Sequence, residues 1–84
     1  MQYRKIQIGT SNQWRIQGTI GKVLEPKTEI VDGKISRLNR FRLDGYPKIY
    51  HSLDGAVEFI EGVEIEGILH HNGRIDISHY KPLN

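Results

Sequence analysis

Apolar and charged residues alternate near the end of this chain. Val63-Glu64-Ile65-Glu66-Gly67-Ile68-Leu69 leads through His71-Asn72-Gly73-Arg74 to Ile75-Asp76-Ile77, where the alternation resumes. A period of two describes a strand with one buried and one wet face. Asn-Gly between two such runs is the strongest short signal for a type I′ hairpin, whose two central residues both need positive φ. The chain is therefore expected to end in a β-hairpin. Pairing Ile68 with Ile77 about that turn conflicts with the inward phase of Val63 and Ile65. An extra residue at Gly67, a bulge on that strand, resolves the conflict.

The rest of the chain reads the same way. Ile6 and Ile8 suit a short lead-in strand, followed by a polar loop from Gly9 to Gln13. Trp14, Ile16, Gly18 and Ile20 share one face of a strand, with Arg15, Gln17 and Thr19 on the other. Gly18 and Gly21 fall where such a strand bends or bulges. Asp32-Gly33 is a second hairpin signal, and pairing outward from it sets Ile30 against Ile35 and Leu24 against Phe41. Pro26 then lies on a long hairpin that projects beyond the rest. Asp44-Gly45-Tyr46-Pro47 forms the next turn. A three-residue connection there pairs Leu43 with Ile49 and Arg42 with Tyr50. The expected core is Trp14, Ile16, Ile20, Phe41, Leu43, Ile49, Val63, Ile65, Ile75 and Ile77. No run has the length or periodicity of a long helix. These readings sum to an all-β fold, a small antiparallel five-stranded barrel with a long first hairpin.

At 84 residues the chain is long enough for one domain over 1–84, with a lead-in at 1–13 and the barrel at 14–84. A chain of this size buries only roughly 60–65% of its unfolded surface, so its core is thin. It has no cysteine, which excludes disulfides and thiolate metal sites and suits a reducing cytoplasm. No apolar run approaches the ~20 residues of a membrane span, and the amino-terminal residues lack a signal-peptide core. The net charge of +2 is too small to imply a polyanion by itself. Its distribution says more: Lys34, Arg37, Arg40 and Arg42 run without an acid, and Asp54, Glu58, Glu61, Glu64 and Glu66 run without a base. Such segregation makes one surface positive and another negative, and can steer a polyanion to one face.

Several segments together resemble OB-fold nucleic-acid-binding domains of the anticodon-binding and single-strand-binding kind. Trp14-Arg15-Ile16-Gln17-Gly18-Thr19-Ile20 is similar to the first strand of that family, and Phe41-Arg42-Leu43-Asp44-Gly45 to the second. Glu61-Gly62-Val63-Glu64-Ile65-Glu66-Gly67 is similar to the fourth, and Asn72-Gly73-Arg74-Ile75-Asp76-Ile77 to the fifth. The resemblance spans Trp14 to Leu83. It departs between Ser52 and Gly62, which is too short for the family's barrel-plugging helix; Phe59 and Ile60 are expected there instead. The resemblance implies a ligand on the second and third strands and the loops beside them. Arg40, Arg42, Lys48 and Tyr50 are the candidates on that face, extended by Arg15, Arg37, Tyr46 and Arg74. Single-strand binders need cations for phosphates and aromatic faces for bases, and this set offers both. The bland alternative is an internal Arg42–Tyr50 cation–π pair.

Other chemistry is poorly supported. His70 and His71 are strand neighbours that point to opposite faces, so with His51 and His79 they lack zinc-ligand spacing. Ser11, Ser36, Ser52 and Ser78 sit in no nucleophile elbow, and no glycine loop opens a helix. An enzyme is not expected, nor a cofactor or metal. The expected function is a cytoplasmic binding module for single-stranded DNA or RNA, or for structured RNA. The alternative is a protein-interaction or homo-oligomerisation module using the projecting hairpin, where Ile30, Val31 and Ile35 want cover.

Overall fold

The computed structural model describes residues 13–83 and the backbone of a short strand before them. In chain order the strands are β1 (Arg4–Gln7), β2 (Gln13–Val31), β3 (Lys34–Leu43), β4 (Tyr50–Ser52), β5 (Glu64–His70) and β6 (Ile75–Lys81). The expected lead-in strand is β1, which pairs antiparallel with the start of β2. Ile8 and residues 9–12 of the expected loop lie outside the described residues. Among the described residues there is no helix, and so none long and apolar enough to cross a membrane.

The fold is all-β, with five strands in the order β4-β3-β2-β5-β6 and every ladder antiparallel. It is OB-like in that one long bent strand serves both halves: Gln13–Thr19 of β2 pairs with β5, and the remainder pairs with β3. The sheet is not closed into a barrel by a ladder. Its two ends meet through a single parallel bridge, His51 to Arg74, in which the His51 N–H donates to the Gly73 carbonyl at 3.1 Å.

The Asp32-Gly33 hairpin forms as read, with φ of 51° and 79° at its two central residues and Ile30 opposite Ile35. The closing hairpin differs. Asn72 does not take positive φ; Gly73 alone does, at 92°. The Gly73 N–H reaches the His70 carbonyl and the His70 N–H reaches Arg74, so a three-residue loop replaces the two-residue turn. Pairing outward from it sets Leu69 against Ile75 and Ile68 against Asp76, not Ile77. Ile65, Gly67 and Leu69 therefore all point inward, and β5 keeps a regular phase. The irregularity falls at Gly67, but the extra residue is Ser78 on the partner strand.

Two further extra residues lie in β2. Gly21 separates the pairs Ile20–Leu43 and Lys22–Arg42, and a second shift falls between Leu24 and Lys27, around Pro26. As a result Val23, not Leu24, lies opposite Phe41. Pro26 has no N–H for a ladder, so the irregularity sits where a missing donor costs least.

Ile16, Ile20, Phe41, Leu43, Val63, Ile65 and Ile75 form the core as expected, joined by Tyr50 and Leu69. Trp14 and Ile77 are only partly buried and pack against it. Each full burial of an aliphatic or aromatic side chain contributes about 1.5–3 kcal/mol. Ile49, expected inside, is 41% exposed, and Tyr50, expected outside, is 1% exposed. The cause is the connection after β3. A turn forms between the Leu43 carbonyl and the Tyr46 N–H, with Gly45 at φ 80°. Pro47 then offers no donor, and pairing restarts only at Tyr50, opposite Phe41. A shift of one residue exchanges the faces of a whole strand. Four rings consequently form a chain through the interior. Phe59 stacks on Phe41 at 5.4 Å, Phe41 meets Tyr50 at 6.4 Å, and Tyr50 stacks on Tyr46 at 5.7 Å. Phe59 thus covers the core in the way expected of it, while Ile60 is exposed and Val57 is the buried residue of that loop.

Candidate nucleic-acid interface

Directly opposed residues of an antiparallel pair share a face, so the ladder register locates each cation. Arg42 lies opposite Lys22, Arg40 lies between Leu24 and His51, and Leu38 lies opposite Lys27. Alternation along β3 places Lys34, Leu38, Arg40 and Arg42 on one outer face. Lys22, Lys27, Arg40, Arg42 and Lys34 therefore line a single surface of the β2–β3 arm and its root. Arg74 joins them through the bridge to His51. Glu29 is the acid of this surface and pairs with Lys27 at 3.8 Å, while Arg40 donates to the main-chain carbonyl of Glu25 at 3.4 Å.

The residues singled out from the sequence divide. Arg40 and Arg42 stand together on this face. Arg37, one residue out of phase, takes the opposite face with Thr28. Tyr50 is interior and cannot stack on a ligand, and Tyr46 leans on it. Arg15 is engaged on the far half of β2, 3.5 Å from Glu66. Lys48 lies at a separate cavity of about 140 Å³, beside Trp14, Ile49 and His71. The pairing of Arg42 with Tyr50 is replaced by Arg40 with His51. Lys27 keeps the register set by the Asp32-Gly33 tip, whereas Lys22 reaches this face only through the extra residue between Leu24 and Lys27, which the sequence reading did not count. The signal was available in Pro26, which has no N–H for a ladder and marks where the extra residue that puts Lys22 opposite Arg42 falls.

A cavity of about 220 Å³ opens on the same surface, where the arm meets β4 and the β5–β6 turn. Val31, Leu38 and Leu53 supply its apolar wall, and Glu29, His51, Asn72 and Arg74 its polar rim. Leu38 is buried although it belongs to the outer face, which marks how closely the arm curls over this point. The Asn72 side-chain oxygen accepts from the Arg74 N–H at 3.0 Å, leaving the Asn72 amide to present N–H donors. Arg74 Nε is 3.4 Å from Asp76, and His70 Nε2 donates to Asp76 at 2.7 Å, so the turn is braced from behind. Among the described residues no three metal-capable side chains converge.

Burial holds His51 below the ordinary imidazole pKa of 6.5; Glu29 opposes this, and the Arg74 and Arg40 cations add to it. Between the folded-state pKa and 6.5 the unfolded chain binds more protons at His51 than the folded one. His51 therefore makes stability fall as pH drops through that window and contributes no slope above it. His51→Gln is expected to remove this part of the acid-side decline. Urea denaturation of both proteins at stepped pH from about 7.5 to 5 checks it, and parallel declines would count against the assignment.

No family model matches this chain, and neither a curated protein nor a solved structure matches it, so the reading of this surface rests on the geometry just described.

Proposed function

We propose that this protein is a non-catalytic binding module for polyanions, single-stranded nucleic acid first, acting through the outer face of β2, β3 and β4. One observation carries the reading: Lys22, Lys27, Lys34, Arg40, Arg42 and Arg74 gather on one surface while the acidic run lies on or before β5. Cations spaced along a sheet face track a phosphate backbone, and each neutralised phosphate releases counterions. Arg40 and Arg42 are the central contacts, with the lysines outside them.

Anisotropy of labelled single-stranded DNA and RNA across a salt series tests this. Affinity is expected to fall with salt by a log–log slope near −0.7 for each phosphate neutralised. Arg42→Ala should flatten the slope by about 0.7. Arg37→Ala, on the opposite face, should leave it nearly unchanged. Absence of binding at micromolar protein and low salt would end the reading.

A second reading is favoured by Ile30 and Ile35, which lie directly opposed near the arm tip and are 75% and 80% exposed. Paired β-branched residues on a bare arm suit a protein partner or a second copy. Light scattering of the parent beside an Ile30→Thr, Ile35→Thr variant distinguishes self-association from a monomer.

A further inference from the structure

Among the described residues the proposed binding face offers no phenyl, phenol or indole platform. Phe41 and Tyr50 are interior, Tyr46 is stacked on Tyr50, and the outer positions of β3 and β4 are Lys34, Ser36, Leu38, Arg40, Arg42 and His51. Base stacking, ordinarily a large share of single-strand affinity, must then come from somewhere other than an exposed ring. The cavity at the arm's root is where an apolar surface meets this cationic face. Its volume of about 220 Å³ falls below the ~300–1,000 Å³ of sites that enclose a drug-sized ligand. It suits one heterocycle, with sugar and phosphate left outside.

Resting on the reading of this face as a single-strand interface, we infer that the cavity receives one unstacked, amine-bearing base of the strand, guanine foremost, with Glu29 and Asn72 reading its polar edge. Leu38 and Leu53 cover the flat faces of the ring. The Glu29 carboxylate only accepts hydrogen bonds, through two oxygens. Guanine presents two adjacent N–H donors that match such a fork, and its carbonyl beside them takes the Asn72 amide donor. Adenine and cytosine offer one amine each to the carboxylate. Thymine and uracil flank their single N–H with two carbonyl oxygens, which a carboxylate repels. Arg74, on the cavity's rim, and Arg40, opposite the rim residue His51 on the ladder, meet the phosphates on either side of the inserted base. The carboxylate thus selects among bases and the cations hold the strand, which explains an acid at the centre of a basic face.

The test compares labelled dT8 with the same strand carrying one central dG, by anisotropy at fixed low salt, for the parent and for Glu29→Gln. Glu29 is exposed, and its replacement should leave the melting temperature unchanged. The parent is expected to bind the dG strand about tenfold more tightly, as a well-made bidentate contact discriminates. In Glu29→Gln the preference should vanish, because a glutamine amide offers both a donor and an acceptor and meets the thymine edge as well. If the parent binds both strands equally, or Glu29→Gln keeps the preference, the cavity does not read a base and the inference falls while the polyanion reading stands. If neither strand binds, the reading of the face itself falls. The parent comparison decides the matter alone should the variant fail to fold.

Discussion

Gly67→Ala is expected to be among the most damaging single substitutions in this protein. A Cβ built at Gly67 would lie 2.2 Å from the Asp76 carbonyl oxygen and 2.9 Å from Ile77 Cα. Both are backbone atoms of β6, so no rotamer change can clear the space. The two strands approach this closely because Ser78 is the extra residue opposite the Glu66–Gly67 step, which draws β6 inward at this point. An alanine must push β6 outward and strain the pairs on both sides, Ile65 with Tyr80 and Leu69 with Ile75. The whole folded state of a chain of 84 residues is stable by roughly 4–12 kcal/mol. A loss of about 3 kcal/mol or more, in the upper range for single substitutions, is expected. Urea denaturation measures it. A shift below about 1 kcal/mol would show that β6 moves aside freely.

Tyr50→Ala is the second large effect, and it tells an interior ring from a surface one. On the outer face, as the sequence alone suggests, its loss would weaken ligand binding by about 1–3 kcal/mol and spare the fold. In the structure Tyr50 links Phe41 to Tyr46 and is 1% exposed. Removing a core ring costs about 3–5 kcal/mol, and paired rings contribute about 0.5–1.5 kcal/mol beyond the buried area. Tyr50→Ala should therefore lower the unfolding free energy by about 3–5 kcal/mol, read by urea denaturation as a large fall in midpoint. Ile49→Ala, one residue away and 41% exposed, should change stability by only about 0.5 kcal/mol. Reversal of that order would place Tyr50 outside after all.

The contrast shows which levels of structure the sequence encodes locally. Alternation in Val63–Leu69 and the Asp32-Gly33 pair specify strands and a turn through residues that are themselves neighbours, and both are legible. The phase of β4 depends on how the chain leaves Leu43 and on the missing donor at Pro47, and a slip of one position exchanges Ile49 with Tyr50. The extra residue at Ser78 answers a constraint on β5, a strand that shows no irregularity of its own. The functional face shares this division. Arg40 and Arg42 follow from simple alternation. Lys27 follows the register of the Asp32-Gly33 tip, Lys22 requires the extra residue around Pro26 to be counted, and His51 joins the face only once its opposition to Arg40 is known.

The long β2 strand divides the molecule by how fast its parts can open. Its first half is flanked by β1 and β5, so freeing Trp14–Ile20 dissolves ladders on both edges at once and amounts to complete unfolding. Beyond Pro26 the arm leans on β3 alone and can part and rejoin on its own. Glu29 and Val31 belong to the quick part and His51 to the slow part, yet all three border one cavity. A guest held between them couples the two rates: it damps the arm while it stays, and the arm's own opening sets how long that is.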